Sequence, residues 1–259
     1  MVKTDSLTMC SLTGYSKFIK YIAHHPTELP RISKNLRKRL FGFLNTVIPP
    51  QVNEANAKDP YGMQLPQIMC DWLKGTYTSQ EICTLLLTQA DQSPFFKSQA
   101  ERSLIRSLIR CMFTPELFIQ ATELMPDAYR FAQECKRKGH NLYILSNWDS
   151  SSFELLHKKY NHFFDLFDGI VISGDIHAIK PSPAAYHHLL TTYNLNPSDC
   201  IFIDDRIENR IAAEQCGISC YFKQKRCFLT PWKKVTDFLA IAQYIIFFSF
   251  FKTWKQYQP

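Results

Sequence analysis

Five polar residues in the second half of the chain have the types and the order that phosphoryl chemistry needs. Ser146 and Asn147 end the apolar run NLYILSN, Lys180 lies in the loop SGDIHAIKPSP, and the adjacent acids Asp204 and Asp205 end CIFIDD. A hydroxyl beside backbone N–H groups can hold phosphoryl oxygens, a lysine can neutralise their charge, and paired carboxylates can hold a hard cation through oxygen. Together they outline a site for a metal ion and a phosphate. Each also has a plainer reading: Ser146-Asn147 as a strand-to-helix turn, Lys180 as a solvated loop charge, and the two aspartates as acids that a helix macrodipole favours at its N-terminus. Other catalytic signatures are missing. There is no Walker A, GxGxxG, GxSxG or HExxH pattern, and His24-His25 and His187-His188 are adjacent pairs, not the i, i+4 spacing that points two imidazoles at one metal.

The elements that must position these residues alternate. MPDAYRFAQECKRKGH predicts a helix closing on Gly139, NLYILSN a buried strand, and DSSSFELLHKKY a helix capped by Asp149. GIVIS is the next strand, Ser182-Pro183 opens the helix PAAYHHLLTTYN, CIFI is a third strand, RIENRIAAEQC a helix closed by Gly217, and ISCYF a fourth strand. Short apolar strands separated by helices of about 10–12 residues imply crossover connections and a parallel sheet covered on both faces, with ligands beyond the carboxyl ends of the strands. From about 14 to 122 the periodicities are helical instead, and predict a bundle of four or five helices. Thr78 to Glu81 (TSQE) has the capping-box pattern, Leu104, Ile105, Leu108 and Met112 form a stripe, and Thr114-Pro115 reads as an N-cap followed by proline at the first helical position.

The order and spacing of LYILSN, SGDIHAIKPSPAAY and CIFIDDRIENRIAAEQCGI, down to Asn209, Ala212-Ala213 and Gly217, resemble motifs two, three and four of the haloacid dehalogenase-like (HAD) hydrolase superfamily. The resemblance covers about residues 123–222. Ser182 stands where an aspartate is frequent and Arg210 where an apolar residue is usual. It implies a Rossmann-like doubly wound α/β core, with residues 14–122 as an all-helical cap inserted between motifs one and two. It also implies a phosphatase acting on a small phosphorylated metabolite through an aspartyl-phosphate. Carried over by position, Ser146 and Asn147 would bind the phosphoryl group, Lys180 would balance its charge and orient the nucleophile, and Asp204 and Asp205 would ligate Mg²⁺. Neighbouring side chains point to opposite faces, so one aspartate would hold the ion directly and the other through water or as support.

Motif one, a strand ending in D-x-D whose first aspartate attacks phosphorus, is missing. No D-x-D occurs in the first hundred residues, and Asp5 follows a polar tripeptide. MVKTDSLTMCSLTGYSKFIK resembles the continuation of that motif, so the expectation is that Met1 is an internal methionine and residues 1–13 are a remnant of the following loop; the alternative is a degenerate binding or regulatory protein. Either way the central first strand is expected to be absent, leaving a vacant slot between the strands that end at Ser146 and at Asp204, and the chain as it stands is expected to be inactive.

Composition narrows the setting. With 259 residues, 46% of them hydrophobic, the chain can bury a substantial core. Nine scattered cysteines without a CxxC pair, and no apolar leader in the first twenty residues, place the expectation in a reducing cytoplasm. The formal charge of +7 gathers at Arg31, Lys34, Arg37, Lys38 and Arg39, but Ile32, Leu36, Leu40 and Leu44 recur every four residues. The basic residues are therefore read as the wet face of an amphipathic helix, not as a nucleic-acid surface. After the α/β core (123–225), the segment 226–259 holds the apolar run FLAIAQYIIFFSFF over 238–251. It is read as a terminal helix or tail that packs on protein, being shorter than the roughly 17–25 residues a membrane span requires; membrane contact is the lesser alternative.

Overall fold

The computed structural model describes residues 10–12, 36–48, 65–120, 122–124, 126–204, 206–221 and 248–253. Its first part is a layer of helices: α1 (Leu36–Val47), α2 (Gln67–Leu73), α3 (Ser79–Gln92), α4 (Gln99–Phe113) and α5 (Pro115–Gln120). The capping signals act where the sequence puts them. Glu81 N donates to Thr78 Oγ1 at 3.2 Å while Thr78 N donates to Glu81 Oε2 at 2.8 Å, and Phe118 N donates to Thr114 O at 2.9 Å. Leu40, Phe43, Leu44, Trp72, Ile82, Leu86, Ile105, Ile109 and Met112 are buried between these helices. Arg39 departs from the wet-face reading. Its guanidinium donates to both Glu101 carboxylate oxygens at 2.7 Å and its Nε to Phe95 O at 2.7 Å, clamping α1 to α4. Arg31 and Lys34 lie outside the described residues.

The second part alternates as expected: α6 (Pro126–Arg137), β3 (Leu142–Ser146), α7 (Ser150–Lys159), α8 (Asn161–Phe164), β4 (Gly169–Ile172), α9 (Ser173–Ile176), α10 (Pro183–Thr192), β5 (Cys200–Ile203), α11 (Ile207–Gln215) and β6 (Ser219–Tyr221). Asp149 caps α7, accepting from Ser152 N at 3.0 Å. Gly217, at φ 82°, follows the end of α11 in the left-handed conformation that glycine adopts without a Cβ penalty. All five residues of β3 are buried, with Leu142 and Ile144 packing on one side among the helices and Tyr143 and Leu145 on the other against Ala185, Tyr186, Leu189 and Phe202. That alternation is what a sheet covered on both faces requires. A small antiparallel pair, β1 (Cys10–Leu12) with β2 (Thr122–Leu124), joins the two parts and had no sequence signal.

The sheet order is β4-β3-β7-β5-β6, where β7 is Phe248–Thr253. β3 with β4, and β5 with β6, are parallel. The slot between β3 and β5, expected to be vacant, is filled by β7, which runs antiparallel to both neighbours. No parallel strand stands there among the described residues. The expected terminal helix is thereby corrected over 248–251, where the chain is a strand; the start of that apolar run, 238–247, lies outside the described residues. β7 supplies ladder partners to the N–H and C=O groups on the facing edges of β3 and β5. No helix among the described residues is long and apolar enough to cross a membrane.

Candidate active site

The carboxyl ends of β3 and β5 meet at Lys180. Its Nζ donates to Leu145 O at 2.7 Å, at the end of β3, and to Asp204 Oδ2 at 3.1 Å, just past β5. Lys180 and the Asp204 side chain together thus link the ends of the two strands that flank β7. The Lys180 and Asp204 side chains are each 1% exposed. Burying two charges is costly unless both are paired and bonded, and here they are. Asp204 also accepts from Arg206 N (2.8 Å, on Oδ1) and Asn209 Nδ2 (3.0 Å, on Oδ2), while the Phe202 ring lies 5.7 Å from the ammonium. Asn209 is held in turn where α11 begins, since its carbonyl accepts from Tyr186 OH at 2.7 Å, and burial pushes that phenol far above its ordinary range.

Ser146 is buried at the last position of β3, next to the carbonyl that Lys180 holds. Asn147 follows, and its amide grips the Lys180 backbone from both ends: Nδ2 donates to Lys180 O at 2.9 Å and Lys180 N donates to Oδ1 at 2.7 Å. The structure therefore brings Ser146, Asn147, Lys180 and Asp204 to one place; Asp205 lies outside the described residues. The plain reading of Lys180 as a solvated charge does not survive this burial and bonding.

Sequence reasoning missed the residues that brace the site. Ser173 opens the loop carrying Lys180: its Oγ accepts from Trp148 N at 2.9 Å and donates to Leu73 O at 2.6 Å in the helical layer. Asp149, read only as a helix cap, is buried and also accepts from Ser79 Oγ at 3.1 Å, and Ser79 Oγ accepts from Trp72 Nε1 at 3.0 Å. One chain of bonds thus runs from the helical layer to the strand end beside Ser146. Its only sequence signal was the cluster of small polar residues directly after β3.

Comparison with known proteins decides the family. The haloacid dehalogenase-like hydrolase profile matches residues 81–217, a little over half of the chain. The chain belongs to the haloacid dehalogenase-like hydrolase family. Among curated proteins it is similar to the sesquiterpene phosphatase astK of Aspergillus oryzae, 34% identical over 97 residues, which are 37% of this chain and 49% of that one. It is also similar to the enolase-phosphatase E1 of Naegleria gruberi, 30% identical over 102 residues, 37% of this chain and 38% of that one. The chain thus spans about half or less of the curated relatives it matches. Among solved structures, a HAD family enzyme from Bacteroides thetaiotaomicron superposes with a TM-score of 0.53 at 16% identity, over 90% of this chain and 95% of that one. This likeness extends the shared fold over both the α/β core and the helical cap.

Within this HAD-like site the described residues offer a metal one carboxylate, Asp204. Mg²⁺ commonly takes one or two carboxylates and fills its octahedron with water and phosphate oxygens, so the donor set fits the ion at its lower limit, with Asp205 the second candidate. Cys200 and Cys220 are not poised as replacement nucleophiles. Burial pushes the Cys200 thiol up to about 11 and the Cys220 thiol up to about 12, so neither is a thiolate at neutral pH.

Proposed function

We propose that this chain carries the phosphoryl-binding side of a phosphatase-type HAD site for a small phosphorylated metabolite. Ser146 and the backbone N–H groups beside Asn147 would hold the phosphoryl oxygens, Lys180 would balance their charge, and Asp204 with Asp205 would hold Mg²⁺, which would add positive charge against those oxygens. Hydrolysis through an aspartyl-phosphate would belong to a form of the protein that carries motif one; this chain alone would not turn over. The observation that carries the reading is the Lys180 ammonium bonded to both strand ends beside Ser146, buried and aimed at one point. The similarity to a sesquiterpene phosphatase and an enolase-phosphatase supports the substrate class.

A second reading, binding without catalysis, is favoured by β7. Its sequence FSFFKT contains no carboxylate, and it occupies the strand position from which the family's nucleophile would come. Loss of one nucleophile has lowered turnover in other hydrolases by on the order of 10⁶-fold. The test is Mg²⁺-dependent hydrolysis of an aryl phosphate by this chain, alongside calorimetric titration with inorganic phosphate. The expected result is phosphate binding that Ser146→Ala and Lys180→Ala each weaken by about tenfold or more, with no turnover. Turnover by the 259-residue chain would overturn the binding reading and the first reading's need for motif one, and absence of phosphate binding would overturn both.

A further inference from the structure

We infer that β7 is this chain's own substitute for the central strand of the HAD sheet, and that its reversed insertion brings no attacking group to the phosphoryl site. The inference rests on the phosphoryl-site reading above for which site is meant, and on the sheet alone for how the strand stands there.

Three observations converge. First, β7 pairs on both sides, from Leu142↔Lys252 to Ser146↔Phe248 with β3 and from Cys200↔Thr253 to Ile203↔Phe250 with β5. These are whole-strand ladders, and they satisfy the inner edges of β3, which is buried along its whole length, and of β5, where Cys200 and Phe202 are buried and Ile201 and Ile203 half-buried. Second, direction matters. A parallel strand would leave the sheet at the site end and deliver its last residue there; an antiparallel strand enters at that end. The residue opposite Ser146 is accordingly Phe248, the first of β7, and no acid occurs anywhere in the strand. Third, Lys180 finds its counter-charge in Asp204, across the site end of β7, not in a central-strand carboxylate. Two-sided pairing, reversed direction and the lack of an acid together describe a strand that completes the sheet without supplying a nucleophile.

The test is a cross-link read in the full chain. Leu145 and Ser249 are opposed in the ladder. Opposed residues of an antiparallel pair have Cα atoms about 4.5–5.5 Å apart and side chains on the same face, within disulfide range. Leu145→Cys with Ser249→Cys, oxidised and mapped by peptide mass, should give a 145–249 disulfide inside one chain. A disulfide between chains would show a second copy donating the strand and would overturn the inference, as would no 145–249 disulfide in a variant whose circular dichroism matches the parent. A second variant, Phe250→Pro, removes a ladder N–H from a central strand. It should speed amide hydrogen exchange in β3 and β5 by about tenfold or more; unchanged exchange would overturn the inference. Phosphate titration of the parent chain is scored separately: cross-linking without phosphate binding would sink the functional reading and leave the strand replacement standing, and the converse result would do the opposite.

Discussion

Lys180 Nζ and Asp204 Oδ2 stand 3.1 Å apart with both side chains almost wholly withdrawn from solvent. An isolated ion of either sign in that position would be far more costly than the pair, so each charge depends on the other. The same bond fixes the distance between the ends of β3 and β5, because Lys180 also holds Leu145 O.

Lys180→Met is therefore expected to destabilise the fold by about 3–5 kcal/mol, since it leaves the Asp204 carboxylate buried without its cation. The double change Lys180→Met with Asp204→Leu should cost clearly less than the two single changes added together. Urea denaturation of the four proteins measures the coupling; strict additivity would show that the pair contributes nothing as a pair.

The Arg39–Glu101 clamp predicts a limb of acid sensitivity. Hydrogen bonding from Arg39 holds the Glu101 carboxyl below its ordinary value. The unfolded chain then binds a proton at a higher pH than the folded one does. The stabilisation is fully present above the ordinary glutamate value and is lost as pH falls through the lower folded-state value. Glu101→Gln should cost roughly 1.5–3 kcal/mol at neutral pH and flatten the decline in stability between neutral pH and the acid range. Denaturation midpoints across that range decide it: an unchanged acid slope would remove Glu101 from the account.

The bond chain from Trp72 through Ser79 to Asp149 should couple the cap to the core. Ser79→Ala leaves the Trp72 indole N–H and one Asp149 acceptor without the hydroxyl between them, at about 1–3 kcal/mol. Asp149→Ala additionally removes the α7 cap and should cost more. If the two thermal midpoints fall equally, the cap bond adds nothing beyond the bridge.

Gly75 is required twice over. Its φ is 72°, and a Cβ placed there would sit 2.6 Å from the Gly174 carbonyl oxygen, where the turn after α2 touches the start of α9. Gly75→Ala should destabilise by more than about 1 kcal/mol and loosen the cap against the Lys180 loop. A midpoint equal to the parent's would show that this approach can relax without strain.

Much of this was legible in the sequence, for identifiable reasons. β3, β4 and β5 announce themselves as short apolar runs bounded by turn residues, and Thr78, Asp149 and Gly217 mark helix ends with side chains or conformations suited to nothing else there. The hold of Asn147 on the Lys180 backbone was not legible, because it joins residues 33 apart through a loop whose path no local pattern dictates. Arg39 was misread because helical periodicity tells which residues face water on an isolated helix, not which of them find a carboxylate on the next one. The run containing β7 was misread for a different reason. A continuous apolar stretch has no alternation to separate strand from helix, and only the vacancy between β3 and β5 selects the outcome.

Ser146 and Phe248 meet in the ladder although about a hundred residues lie between them along the chain. Contacts of such long sequence separation form late, because the loop-closure entropy must be met before they contribute. The helical layer and the β3–β4 and β5–β6 pairs can assemble from nearer neighbours, so the middle of the sheet is the last seam to close. Until then two apolar strand edges are open to any other strand, and the yield of folded protein should fall with rising concentration during refolding.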